Sequence, residues 1–133
     1  MNASTGLNEY MVTKNESALA DATPHKLIEM LFDGALESLA KATGAIASGD
    51  PAAKGEAIGK AMTIVENLRI MLDSERGGAI SANLEQIYDY IGRRLLQASS
   101  NKDPEILKEV AALLREVKGG WDAIPSELHG AVE

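Results

Sequence analysis

The chain has 133 residues, enough for one domain with a single core, and its 45% apolar and 25% charged content is that of an ordinary folded protein rather than a disordered one. A net charge of −7 argues against nucleic acid as a partner, because phosphate binding needs concentrated Lys and Arg. The absence of cysteine excludes disulfides, zinc–thiolate sites and thiol catalysis. It makes a reducing cytoplasm the simplest location, and no cofactor is implied.

Residues 1–22 read as a partly mobile segment that caps the rest of the chain. Met1 to Gly6 is small and polar, Leu7, Tyr10 and Met11 follow at helical spacing, and Thr13 to Ser17 is a polar connector. No basic start with an apolar run marks a signal peptide, and no apolar run is long enough for stable membrane insertion.

The first helix is expected over 24–48. Thr23 is a good N-cap, and Pro24 suits the first helical position, where its missing N–H has no partner to lose. Ile28, Leu31, Ala35, Leu39, Ala42 and Ile46 then recur at steps of three and four, with Leu27, Phe32 and Leu36 widening the stripe. Gly49, Asp50 and Pro51 stop this helix and start a second over 51–73. It carries Ile58, Ala61, Met62, Val65, Leu68 and Leu72, with Ile64 and Met71 beside them.

Gly77 and Gly78 open a third helix over 79–99, with Ile80, Leu84, Ile87, Ile91 and Leu95 along one stripe and Asn83, Tyr88 and Tyr90 between them. Asp103 and Pro104 start a fourth over 104–124, with Ile106, Val110, Leu113, Val117, Trp121 and Ile124. Pro125 closes it, and 126–133 reads as a flexible tail. Short connections make successive helices antiparallel, so an all-α, up-down-up-down four-helix bundle is expected over 23–125.

A search for chemistry finds little. A di-iron bundle needs Glu-x-x-His pairs, and neither His25 nor His129 has a Glu three residues before it. His25 and Glu29 share a face but offer too few ligands for a metal, and read as a solvated polar patch. Glu29, Asp33 and Glu37 form an i, i+4 ladder of the kind that the outer face of a bundle carries by default. His25-Lys26 leaves a histidine phosphotransfer domain as the alternative, against an ordinary first-turn residue. Gly77-Gly78 lacks the following Gly-Lys of a phosphate loop. The apolar arcs of helices two and three are wider than a four-helix core needs, with Ile64, Met71, Tyr90 and Leu96 near their edges. This favours a helix- or peptide-binding protein over an enzyme.

Thr23-Pro24-His25-Lys26-Leu27-Ile28-Glu29-Met30-Leu31-Phe32-Asp33-Gly34-Ala35 closely resembles the FliS family of flagellin-specific export chaperones. The likeness extends to Gly49-Asp50, Lys54-Gly55-Glu56-Ala57, Gly77-Gly78, Ile80, Asn83-Leu84, Tyr88-Asp89-Tyr90, Arg93-Arg94-Leu95, Asn101, Asp103 and Trp121, roughly 7–124 in order. It implies a non-enzymatic cytoplasmic bundle that holds the disordered C-terminal segment of flagellin, prevents premature polymerisation and presents it to a component of the flagellar export gate. It also implies an N-terminal segment, here matched by Leu7 and Tyr10, that packs on the bundle and gives way to the client. The expected partner-binding residues are Leu7, Tyr10, Ile64, Asn67, Leu68, Met71, Ile80, Asn83, Leu84, Ile87 and Tyr90. Asn67 and Asn83 have two readings, helix-surface solvation or hydrogen bonding to client backbone. The same apolar edges leave a client-free homodimer open. Ser99-Ser100 and Gly119-Gly120 depart from the family pattern and bear on the part helix four plays in binding.

Overall fold

A computed structural model describes residues 23–72 and 74–123. Its elements are α1 (Pro24–Ser48), α2 (Pro51–Ile70), α3 (Ser74–Ser99) and α4 (Pro104–Ala123), with no strand among the described residues. The four-helix architecture expected from the apolar periodicity is the one the chain adopts. Leu7, Tyr10, Ile124 and the tail lie outside the described residues.

The helix starts follow from local chemistry. The first N–H groups of a helix lack intrahelical acceptors, and a short polar side chain supplies one. Thr23 Oγ1 accepts from Lys26 N at 3.1 Å, Asp50 Oδ1 from Ala53 N at 3.0 Å, and Asp103 Oδ1 from Glu105 N at 2.9 Å. Gly49 ends α1 with φ 70°, and the N–H of Asp50 returns to Ala45 O at 2.9 Å, as a left-handed cap requires. Gly78 lies within α3 at φ 52°, ψ −126°, so the first turn of α3 is set off by a kink and the regular helix runs from Ala79.

Each helix packs on its neighbours in chain order, α1 on α2, α2 on α3, α3 on α4 and α4 back on α1. The ring is antiparallel. At one end the start of α1 and of α3 meets the close of α2 and of α4, while at the other the Lys54 ammonium donates to Asn101 O in the α3–α4 turn. Phe32, Leu31, Leu39, Ile58, Ile91, Leu95, Leu107, Val110 and Leu114 are almost wholly buried between the four helices. Ion pairs cross three of the interfaces: Lys118–Asp33 at 2.8 Å (α4–α1), Arg69–Glu85 at 3.6 Å (α2–α3) and Arg94–Glu109 at 2.7 Å (α3–α4). Exposed pairs of this kind contribute at most about 1 kcal/mol each, so the apolar core carries the stability.

Two stripes differ from their sequence expectation. In α3 the interior positions are Ser81, Tyr88, Ile91, Leu95 and Ala98, whereas Ile80 is 53% exposed and Leu84 and Ile87 are half-buried. A small serine fills the core position that the adjacent isoleucine was expected to take. In α4 Ile106, Val110 and Trp121 are buried as expected, but Leu107 and Leu114 are fully buried as well, while the expected Leu113 and Val117 are half-buried. In both helices the displaced apolar residues face one shared space.

Candidate functional site

That space is an apolar cavity of about 330 Å³ at the end of the bundle where α1 begins and α4 closes. Every helix contributes to it: Ile28 and Phe32 from α1, Leu68 from α2 with Met71 and Leu72 just past its end, Ile80, Leu84, Ile87 and Tyr88 from α3, and Leu113, Val117 and Trp121 from α4. Glu116 is the one charged residue in the lining. At liquid density such a volume corresponds to roughly ten waters, each needing two to four polar partners, which this wall does not supply. An apolar guest is therefore favoured over solvent. Burial pushes the Tyr88 phenol well above its ordinary value, in keeping with its place in the apolar wall.

Beyond Ile87 and Leu113 the surface continues as a shallower, more open groove between α3 and α4, bordered by Asn83, Gln86, Tyr90 and Glu109. Tyr90 donates its hydroxyl to Glu109 Oε2 at 2.7 Å, and Arg94 Nε donates to Glu109 Oε1 at 2.7 Å. These two hydrogen bonds hold the Glu109 carboxyl below the usual carboxylate range, and the bond to Glu109 raises the Tyr90 phenol. The clamp thus ties α3 to α4 along one border of the groove.

The expected site residues separate into three groups. Leu68, Met71, Ile80, Leu84 and Ile87 line the cavity, and Asn83, Ile87 and Tyr90 border its open continuation. Ile64 and Asn67 are buried at 2% and 4% exposure, and Asn67 Nδ2 donates to Thr63 O at 2.9 Å within its own helix. Leu7 and Tyr10 fall outside the described residues. Sequence reasoning missed Ile28, Phe32, Leu113, Val117 and Trp121 as walls, since all five read as core. The signal that was available is the doubled apolar arc of α4, where Leu113 and Leu114 adjoin and only one of them can face the bundle axis.

His25 sits at the rim. Its ring stacks on Trp121 with centroids 4.8 Å apart, and its Nε2 lies 3.0 Å from Glu29 Oε1. His25 is half-buried in the first turn of α1 and packed on Trp121, unlike the exposed mid-helix histidine that a phosphotransfer bundle presents. The expected carboxylate ladder is ion-paired throughout, Glu29 with Lys26, Asp33 with Lys118 and Glu37 with Lys41. No helix among the described residues is long and apolar enough to cross a membrane.

Fold and site together define an all-α bundle whose helices leave an apolar groove open at one end. The family model described as flagellar protein FliS matches residues 6–128. The chain is 45% identical to the flagellar secretion chaperone FliSB of Pseudomonas aeruginosa, over 93% of this chain and 98% of that protein. It is 45% identical to the flagellar secretion chaperone FliS of Salmonella typhimurium, over 93% of both chains, and 34% identical to that of Bacillus subtilis, over 84% of both. The chain belongs to the FliS family of flagellar secretion chaperones, whose role is that of a chaperone and not of an enzyme.

Proposed function

We propose that this chaperone works in the cytoplasm, where it binds the disordered C-terminal segment of flagellin, keeps it from polymerising and delivers it to a component of the flagellar export gate. The observation that carries the reading is the apolar cavity walled by all four helices and continued along α3 and α4, in a member of a secretion-chaperone family. A disordered segment loses conformational entropy on binding, at a cost of about 2–5 kcal/mol or more, and offsets it by covering a long apolar surface.

Met71, Ile80, Leu84 and Ile87 would take the client's apolar side chains, with Leu68 at the floor. Asn83, exposed on the border, has its amide free to meet client backbone. Ile64 and Asn67 would shape the wall from behind. The N-terminal segment with Leu7 and Tyr10 would cover the apolar surface until the client displaces it. A client-free homodimer would cover the same surface with a second copy.

The test is calorimetric titration of the full chain with a synthetic flagellin C-terminal segment, alongside size measurement with and without it. Saturable binding at micromolar concentration with one segment per chain supports the reading. Failure to bind at that concentration overturns it, and a size of two chains that the segment does not change favours the homodimer.

A further inference from the structure

The bundle brings together a set of metal-ligating atoms that lies apart from the groove wall. His25 and Glu29 stand one turn apart at the start of α1, and Asp122 reaches them from the last turn of α4, with one ligand atom from each residue within 4.8 Å of the others. The sequence offered only the first two; folding supplies the third.

We propose that His25, Glu29 and Asp122 form a binding site for a divalent transition metal of the zinc, nickel or copper class. The donor set suits that class, since imidazole nitrogen with carboxylate oxygens binds these ions, whereas magnesium and calcium favour oxygen alone. The spacing fits as well. Metal–ligand bonds of about 2.0–2.2 Å put neighbouring ligand atoms about 2.9–3.4 Å apart, depending on geometry, and His25 Nε2 lies 3.0 Å from Glu29 Oε1. Lys26 bonds the other oxygen, Oε2, at 3.3 Å, so Oε1 can turn to a metal while Lys26 stays in place. Asp122 is exposed, so its carboxylate has the freedom to change rotamer, and closing the remaining gap to the other two ligands is what the proposal requires of it. Lys118 on α4 is held by Asp33 at 2.8 Å, and its charge also acts on the Asp122 and Glu29 carboxylates, a charge that a bound cation has to tolerate.

The imidazole is oriented before any metal arrives, because it stacks on Trp121, which is 5% exposed. Three protein ligands leave the remaining positions to water. A bound ion would tie the start of α1 to the close of α4 at the rim of the apolar cavity, whichever guest that cavity takes, so the proposal stands independently of the client.

Trp121 is the chain's one tryptophan and touches the ligating ring, which gives a direct readout. Tag-free full-length protein at neutral pH is titrated with copper, nickel or zinc chloride while Trp121 emission and thermal unfolding are followed. Copper and nickel are expected to quench the emission saturably at one ion per chain, and zinc to raise the unfolding temperature. Asp122→Asn, which keeps size and fold, should weaken binding by at least the about 10–100-fold typical of losing a metal site's supporting contact. His25→Gln should abolish it, and His129→Ala should leave it unchanged. Absence of saturable quenching at a large excess, or quenching that survives Asp122→Asn or disappears in His129→Ala, overturns the proposal.

Discussion

The two ends of the bundle are built from different side chains, and the difference explains why one is open. Where α1 meets α2 and α3 closes, the interior is rich in alanine: Ala42, Ala45, Ala57, Ala61 and Ala98 lie among Leu39, Ile58 and Leu95. Small residues let helix axes approach, and interaxial distance follows the side chains at the contact. That end is further tied by Lys54 to the Asn101 carbonyl. At the other end Phe32, Leu68, Tyr88 and Trp121 hold the helices apart, and the half-buried Leu84, Ile87, Leu113 and Val117 do not fill the space between. Both ends are apolar, and among the described residues the bulky one is where an almost wholly apolar cavity opens. The closed end should therefore govern stability and the open end binding.

Substitutions can break that division. The largest effect is expected from Leu95→Ala, which empties a fully buried site near the closed end and should cost about 2–5 kcal/mol in urea unfolding while leaving affinity for the flagellin segment within twofold of wild type. Next, Lys54→Met keeps the aliphatic stem but removes the donor to Asn101 O, and should cost about 1–3 kcal/mol by the same measurement.

Ile80→Asp reverses the pattern. With the side chain 53% exposed, stability should stay within about 0.5 kcal/mol, while the segment should bind about tenfold more weakly by calorimetry. Gly120→Leu sharpens the comparison. A Cβ there meets nothing within 4 Å, and the side chain would narrow the cavity. The helix should gain about 0.5–1 kcal/mol as the segment loses affinity.

The smallest effect concerns pH. The Glu109 carboxyl is held below its ordinary value of 4.5 by Tyr90 and Arg94. A depressed carboxyl contributes stability in full above that ordinary value and loses it as pH falls through the lower, folded one. Glu109→Gln should flatten this acid limb slightly, which a two-dimensional NMR titration of the Tyr90 ring checks.

Much of the fold was legible because its punctuation is chemical and local. Thr23-Pro24, Asp50-Pro51 and Asp103-Pro104 each combine a side-chain cap with a residue preorganised for the first turn, and each begins a helix in the structure. The groove was less legible because periodicity reports which positions are apolar, not which of two neighbouring apolar positions faces the axis. Ile80 lies on the apolar stripe and its sequence leaves core and groove open, yet Ser81 takes the interior position, just as Leu114 does beside the expected Leu113. The Tyr90–Glu109–Arg94 clamp and the approach of Asp122 to His25 depend on pairing between helices and have no local signature at all.

The most direct measurement exploits the absence of cysteine. Single cysteines are placed at the two ends of α2, at its C-cap Met71 in the open-end wall and at the exposed Glu56 near the closed end, and their alkylation rates are compared with and without the flagellin segment. Strong protection of Met71→Cys with an unchanged rate at Glu56→Cys is expected if the open end holds the client. Equal rates at Met71→Cys with and without bound segment, or protection confined to Glu56→Cys, would contradict it.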